Sequence, residues 1–193
     1  MSHLTLVNFN FSELTTLLSN FCSENSKTLE RIGIEAAKSL KGGGTIFWCG
    51  NGGSAADSQH LSAELVGRFL NNRDPLSSVS LNSDVAALTC ISNDFGYDHV
   101  FSRQLEALAQ KGDLVIALST SGNSQNVIKC LLKAKEIGVM TVALLGKRGG
   151  QTSSLADFEI IVNSESTARI QEVHKIIGHT ICQIVERELG ITN

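Results

Sequence analysis

Residues 45–69 read TIFWCGNGGSAADSQHLSAELVGRF, and this stretch decides the fold. An apolar run ends at Gly50, a glycine-rich turn follows to Ser54, and a helix-like run continues to Phe69. This order predicts a strand, a tight turn and a helix. Glycine lets the backbone turn sharply and approach a ligand closely. Ser54 can cap the new helix, whose free N–H groups attract anions.

His60 and Glu64 are four residues apart, so they share one face of the predicted helix about a turn apart. An imidazole and a carboxylate beside an anion-binding turn favour acid–base chemistry. The alternative is structural, because glycine turns are common in α/β domains and exposed His and Glu are often simply solvated. The pattern alone leaves both readings open.

The size and composition indicate a globular, soluble chain. It has 193 residues, of which 42% are apolar and 18% charged. We expect one domain over 1–193, with N-terminal helices in 1–41 and an α/β core in 45–193. The net charge of −3 provides no basic surface for nucleic acid.

The cysteines and the apolar runs bear on location. The five cysteines are scattered and odd in number, so neither a disulfide framework nor a thiolate zinc site is indicated. A reducing cytoplasm fits best. No run approaches 18 apolar residues, and the first ten residues lack a basic start and a long apolar core. The sequence therefore predicts neither export nor membrane insertion.

Apolar periodicity predicts the remaining elements. Apolar residues recur every three or four positions over 11–21 and 28–40, which predicts two helices before the sheet. Further elements are expected as strands at 78–81, 114–118, 139–145 and 158–162, a turn at 93–98 and a long helix at 167–189. Strands alternating with helices imply a five-stranded parallel sheet covered on both faces, a three-layer α/β sandwich. Ligands of such sheets bind at the carboxyl ends of the strands.

The loop 119–124 reads STSGNS and lies between a predicted strand and a predicted helix. Hydroxyls and free backbone N–H groups at a helix start can bind a phosphate without a fixed positive charge. The alternative is an N-cap, which Ser and Asn also favour. We favour phosphate binding, because the loop holds more donors than a cap requires.

Two nucleotide motifs are missing from the chain. No Gly-x4-Gly-Lys-Ser/Thr is present, which argues against a nucleotide P-loop. Gly50, Gly52 and Gly53 lack the third glycine of a dinucleotide fingerprint. A nicotinamide cofactor is therefore not expected.

The last predicted helix carries Gln171, His174 and His179. Gln171 and His179 are eight residues apart, roughly 12 Å along the axis and turned by about 80°. One small site can hardly use both from a single chain, so we hypothesise that one of them comes from a neighbouring subunit. The alternative is that the two histidines are surface or packed residues.

Several motifs together resemble one family. In chain order they are NGGS at 51–54, Asp57, QH at 59–60, AELVGRF at 63–69, NDFG at 93–96, STSGNS at 119–124 and RIQEVH at 169–174. Over nearly all its length the chain resembles the phosphoheptose isomerases, which belong to the sugar isomerase (SIS) group of flavodoxin-like folds. The resemblance implies conversion of sedoheptulose 7-phosphate to D-glycero-D-manno-heptose 7-phosphate, an early step towards the heptoses of bacterial surface polysaccharides.

The resemblance also implies an assembly and a set of site residues. It implies a homotetramer with active sites between subunits and one zinc ion per subunit. The implied zinc ligands are His60, Glu64, Gln171 and His179. The implied substrate contacts are Asn51, Gly52, Gly53, Ser54, Glu64, Asn93, Asp94, Ser119, Thr120, Ser121, Ser124 and Gln171. For proton transfer we assign, as a hypothesis, Glu64 as the base and His179 as the acid. We expect these two side chains to meet across a subunit boundary.

One departure and three alternatives accompany this resemblance. The family usually has a proline leading into the second strand, where this chain reads LSSV at 76–79. The resemblance therefore does not predict the geometry of this loop. A related SIS protein binds the replication initiator DnaA and lacks the catalytic glutamate, whereas Glu64 is present here. A sugar-phosphate sensor would keep the loop 119–124 without the His60 and Glu64 pair. An isomerase dedicated to capsule heptose is the third alternative.

Overall fold

The computed structural model describes residues 2–191, in which helices and strands alternate as predicted. The helices are α1 (His3–Lys41), α2 (Gly53–Val66), α3 (Val85–Phe95), α4 (Ser102–Leu108), α5 (Gln125–Glu136) and α6 (Thr167–Glu188). The strands are β1 (Ile46–Gly50), β2 (Ser78–Ser80), β3 (Leu114–Ser119), β4 (Met140–Gly146) and β5 (Phe158–Val162). Single turns of 3-10 helix occur at Tyr97–His99 and Gly150–Thr152.

The five strands form one parallel sheet in the order β2-β1-β3-β4-β5. The chain moves from β1 to β2 on one side and returns to β3 on the other, so the winding reverses between β1 and β3. Gly50 at the end of β1 is in register with Leu118 near the end of β3. The loops after these strands therefore lie side by side at the edge where α/β sheets bind ligands.

Helices cover both faces of the sheet. Trp48 and Ile116 point into a core shared with α1, α2 and α6. Phe47 and Val115 point the other way, into a core shared with α4 and α5. Successive strand residues face opposite sides, so fully buried strands are apolar at every position. The predicted three-layer sandwich with a five-stranded parallel sheet is confirmed.

The N-terminal region differs from the prediction. One continuous helix of 39 residues replaces the two expected helices. The segment between them lacks glycine and proline, and the hydroxyls of Ser23 and Ser26 donate to the carbonyls of Asn20 and Cys22. These polar residues interrupt the apolar pattern without breaking the helix, because their side chains bond back to its own carbonyls.

The turn expected at 93–98 is wrong in its first half. Asn93 and Asp94 lie in the last turn of α3, which ends at Phe95. The chain leaves the helix at Gly96, where φ is +87°. Glycine adopts this conformation readily, so the helix ends later than the polar residues suggested.

Two expectations concern the chain as a whole. Leu29 and Ile32 of α1 share a core with α2 and α6, in keeping with one domain over 1–193, which stays a prediction. Among residues 2–191, no helix combines the length and the apolar character that a bilayer crossing requires.

His174 is a packed histidine in the interior of α6. Its side chain is fully buried, and Nε2–H donates to the carbonyl of Leu145 on β4 at 3.0 Å. Nδ1 has no hydrogen-bond partner within the described chain. Burial lowers the pKa of the imidazole from 6.5 to about 4, although the bond to Leu145 and the charge of Asp57 oppose this shift. His174 is therefore neutral at pH 7 and holds α6 to the sheet.

This burial predicts an acid-sensitive contribution to stability. The unfolded chain binds a proton at His174 below pH 6.5, whereas the folded chain does so only near pH 4. The unfolding free energy should therefore fall by about 3 kcal/mol between pH 6.5 and pH 4 from this group alone. We expect His174→Gln, which keeps a donor for Leu145 but does not titrate, to show a shallower loss in urea denaturation across that range. Parallel pH profiles for the two proteins would contradict the assignment.

Candidate active site

Two glycines, at the end of the loop after β1 and the start of α2, have different structural roles. Gly52 occupies the N-cap position with φ of +56°, a conformation that favours glycine. At Gly53 a Cβ would collide with the side-chain amide of Gln171 on α6. The predicted Ser54 cap is wrong, because the helix begins at Gly53 and Ser54 is a buried residue of its first turn. The α2 N-terminus thus carries no side-chain cap.

Asn51 is held by two residues that the sequence did not single out. Its Nδ2 donates to Asn126 Oδ1, and Asn126 Nδ2 donates back to Asn51 Oδ1, both at 2.9 Å. The Tyr97 hydroxyl also donates to Asn51 Oδ1 at 2.9 Å. Asn126 is buried at the start of α5, so the Asn51 amide is fixed beside the loop after β3.

The loop 119–124 is built as a small cup of hydroxyls. Ser119 Oγ accepts from the backbone N–H of Gly122 at 3.1 Å and lies 3.3 Å from Ser124 Oγ. Thr152 braces the loop from outside, since its N–H and hydroxyl both donate to the Gly122 carbonyl. Ser124 occupies the N-cap position of α5, yet its hydroxyl makes no capping bond. Capping therefore does not account for these hydroxyls.

A second group of side chains lies at the crossing of α2 and α6. His60 Nε2 is 3.4 Å from Glu64 Oε1 and 2.9 Å from His179 Nε2. One ligand atom from each of the three residues lies within 4.8 Å of the others. Burial, followed by the charge of His60, lowers the pKa of His179 below its ordinary value, although Glu64 acts in the opposite direction. We call His60, Glu64 and His179 the His–Glu cluster.

A glycine allows this cluster to form. Gly178, next to His179, is buried on α6, and a Cβ there would collide with the Leu61 side chain, next to His60. Leu61 is fully buried. The two helices can therefore cross closely only with glycine at 178. The sequence carries a sign of this, since a glycine inside a long helix usually has a packing reason.

The contacts between α2 and α6 advance in the same direction along both helices. Gly53 lies against Gln171, and Leu61 lies against Gly178. Between them, Lys175 forms an ion pair with Asp57 at 3.0 Å. The helices therefore run parallel, with Gln171 beside the glycine turn and the His–Glu cluster further along.

The packing of α2 on α6 brings Glu64 and His179 together and keeps Gln171 apart from them. Glu64 and His179 meet within one chain, so the expectation that they meet across a subunit boundary is wrong. Gln171, in contrast, lies with the loops, since eight residues of helix place it roughly 12 Å from His179 along the axis. Glu64 is likewise eleven residues, about 16 Å, along α2 from Gly53. One chain thus presents two separate groups.

The first group we call the loop cluster. Its members are Asn51, Gly52, Gly53, Ser119, Thr120, Ser121, Ser124 and Gln171. Asn93 and Asp94 are exposed at the end of α3, where Asn93 Nδ2 donates to Asp94 Oδ1 at 2.7 Å. They remain predicted substrate contacts.

The donor set of the His–Glu cluster fits a zinc ion. Two imidazoles and one carboxylate are ligands that zinc takes in catalytic sites, where a fourth position stays open to water or substrate. The three residues are half-buried or exposed, so an ion can reach them. The predicted ligands His60, Glu64 and His179 are thus brought together, whereas Gln171 of the same chain is not among them.

Comparison with known proteins agrees with the architecture and the motifs. Residues 10–146 match the SIS domain. A phosphoheptose isomerase from Aliarcobacter butzleri is 52% identical over 162 residues, which cover 84% of this chain and 86% of that protein. A phosphoheptose isomerase from Campylobacter concisus is 48% identical over 183 residues, which cover 90% of this chain and 97% of that protein.

Solved structures give the same answer. The phosphoheptose isomerase from Neisseria gonorrhoeae superposes with a TM-score of 0.91 at 36% identity, over 96% of this chain and 100% of that chain. The enzyme of that name from Francisella tularensis superposes with a TM-score of 0.93 at 29% identity, over 97% and 100% of the two chains. The chain therefore belongs to the phosphoheptose isomerase family of SIS-domain proteins.

Proposed function

We propose that this protein is an isomerase that converts sedoheptulose 7-phosphate to D-glycero-D-manno-heptose 7-phosphate in bacterial heptose biosynthesis. The observation that carries the proposal is the His–Glu cluster, in which a carboxylate and two imidazoles lie within 4.8 Å of one another. Acid–base chemistry on a sugar needs such a pair. A purely DnaA-binding or sensing SIS protein would not need it.

The loop cluster is the proposed grip for the phosphate. Ser119 and Ser124 present hydroxyls at the carboxyl edge of the sheet, next to the start of α5. Short hydroxyl donors and a helix N-terminus suit a phosphate dianion. Asn51, held by Asn126 and Tyr97, lies on the neighbouring loop and is proposed to contact the sugar.

Glu64 and His179 are the proposed catalytic pair. Moving the carbonyl from C2 to C1 requires removal of a proton from C1 and its return at C2 through an enediolate. We assign removal to the Glu64 carboxylate. We assign His179 as the acid, which gives a proton to the carbonyl oxygen at C2 and takes the proton of the C1 hydroxyl in return. Burial and the charge of His60 lower the pKa of His179 and favour the neutral imidazole, which can do both.

His60, Glu64 and His179 are the residues that would hold a zinc ion. Zinc bound there would supply a Lewis acid for the oxygens of the substrate. The predicted fourth ligand, Gln171, would then come from another subunit. Glu64 and His179 cannot transfer protons freely while they also bind zinc, so the two roles compete. The metal-free and zinc-loaded proteins should therefore differ in the rate of isomerisation.

We further propose that the loop cluster of one subunit meets the His–Glu cluster of another in a homotetramer. The 16 Å of helix between Gly53 and Glu64 keeps the two clusters of one chain apart. α3 has no fully buried residue within the described chain, while Val85 and Phe95 on it are exposed. Such an apolar, unburied helix is typical of a subunit interface.

The five unbridged cysteines agree with the proposed reducing cytoplasm.

The first test is the reaction itself, with a variant that removes the base. The pure protein should convert sedoheptulose 7-phosphate, and Glu64→Gln should lower kcat by about 10²- to 10⁴-fold, the usual range for lost general-base catalysis. Exposed Glu188 offers a control, since Glu188→Gln removes a carboxylate from the end of α6 away from the cluster. Unchanged turnover in Glu64→Gln would reject the assignment, and no turnover by the unaltered protein would reject the function.

A second test asks whether the close helix crossing sets the catalytic geometry. Gly178→Ala should push α2 from α6 and lower kcat by about 10- to 100-fold, because misplacing a reacting group by about 1 Å has that effect. Gly33→Ala is the matched control, since its Cβ would lie 2.6 Å from Ile184 Cγ2 at the α1–α6 contact. Both should lose about 1–3 kcal/mol of stability to overpacking. Equal losses of kcat would contradict the proposed role of the crossing.

A third test uses mixed tetramers to locate the subunit boundary. Gln171→Ala and Glu64→Gln, each strongly impaired alone, should recover part of the activity when their subunits are exchanged, because some sites then combine two intact clusters. Glu64→Gln mixed with His179→Ala should recover none, since both residues belong to one cluster of one chain. Light scattering should give four times the 20.7 kDa chain mass. Recovery in neither mixture would reject the shared site.

A further inference from the structure

Apart from the loop cluster and the His–Glu cluster, the structure contains a buried ion pair. Glu186 of α6 is 1% exposed and pairs with Arg73 Nε at 3.0 Å. Its carboxylate also accepts from the backbone N–H groups of Phe69, Leu70 and Asn71, each at 3.2 Å. Burial raises the pKa of this carboxyl, but the hydrogen bonds from Asn71, Arg73 and the backbone lower it by more. The pKa therefore lies below its ordinary value, and the carboxylate stays charged. A buried carboxylate with this many donors organises the chain around it.

Arg73 connects this carboxylate to the helix that carries the catalytic base. Its two terminal nitrogens donate to the carbonyls of Glu64 and Leu65, both at 2.8 Å. The last carbonyls of a helix lack partners within it, so Arg73 completes the C-terminus of α2. One of the two carbonyls belongs to Glu64 itself. Arg73 and Glu186 therefore join the end of α2 to α6.

Phe69 connects the same carboxylate to the imidazole of the cluster. Its backbone N–H donates to Glu186 Oε1 at 3.2 Å, and its ring stacks on His179 with centroids 5.4 Å apart and planes 28° apart. Glu186 follows His179 by seven residues, which is two helical turns, so both lie on one face of α6. The His60 and His179 rings also meet at a steep angle, with centroids 5.2 Å and planes 62° apart, and their Nε2 atoms lie 2.9 Å from each other.

We propose that Phe69, set in place by the Arg73–Glu186 pair, is a positioning residue for His179. The flat ring limits the imidazole to the orientation in which Nε2 faces His60. Phe69 has no group that can accept or donate the substrate's protons, so it acts through His179. This inference rests on the proposed isomerase function for its kinetic consequence, but its geometric content does not depend on that function.

A purely structural role is the competing explanation, because Phe69 also packs against the main core. Phe158 provides a matched control. It is half-buried, packs against the same core and faces Arg31 instead of His179. A leucine at either position removes a flat ring from that core, but only the change at 69 uncovers His179.

The first measurement is of kinetics with sedoheptulose 7-phosphate. Phe69→Leu should lower kcat by about 10- to 100-fold, in line with a misplaced catalytic group, and leave KM within about 2-fold. Phe69→Tyr keeps the flat ring and should retain kcat within about 2-fold, as should Phe158→Leu. Equal kcat for Phe69→Leu and the unaltered protein, or equal losses in Phe69→Leu and Phe158→Leu, would overturn the proposal.

The second measurement reads the geometry without substrate or metal. Stacking on Phe69 should shift the His179 ring protons by its ring current in the NMR spectrum of the metal-free protein. This shift should persist in Phe69→Tyr and Phe158→Leu and disappear in Phe69→Leu. If the unaltered protein has no isomerase activity, this result still decides the positioning role: an identical His179 spectrum in Phe69→Leu would overturn it. If Phe69→Leu does not fold, loss of the shift in Arg73→Lys with Phe69 intact provides the same test.

Discussion

The close parallel packing of α2 on α6 is the contact on which the rest of the site depends. It is possible because Gly178 has no side chain where Leu61 fills the space between the helices. Gly53 makes the corresponding contact nearer the start of both helices, where it lies against the side chain of Gln171. Since both helices start near the carboxyl edge of the sheet and run the same way, these two contacts indicate which residues of α2 and α6 face each other. His60 and His179 meet for this reason.

The same packing separates the loop cluster from the His–Glu cluster along the length of the helices. The loop cluster lies where α2 begins, beside the hydroxyls that follow β3, and suits a phosphate. The His–Glu cluster lies two to three turns further along and suits proton transfer. A helix cannot shorten to bring them together, so a substrate that needs both is best accommodated by two chains. The uncovered apolar residues of α3 are consistent with such a neighbour.

Sequence reasoning succeeded where a local pattern reports a local structure. The strand, glycine turn and helix within 45–69, the parallel sheet and the long terminal helix were all predictable from periodicity and breakers. The helix of this stretch ends at Val66 and not at the predicted Phe69, because the chain leaves it at Gly67. Sequence reasoning failed where polar side chains donate hydrogen bonds to carbonyls of their own helix, as Ser23 and Ser26 do in α1. It also missed Asn126, because a partner for Asn51 from 75 positions away leaves no trace in spacing.

The sequence by itself determined the fold class, the hydroxyl loop and the shared helix face of His60 and Glu64, because residue type and short-range spacing control strand and helix formation and donor identity. The role of His179 followed from the resemblance of the motifs to a family. Only the tertiary structure decided that Glu64 and His179 share one chain, that Gln171 lies with the loops, and that Phe69 covers His179. These facts depend on how two helices more than 100 residues apart pack together. That packing is governed by steric fit between distant side chains, which no local pattern encodes.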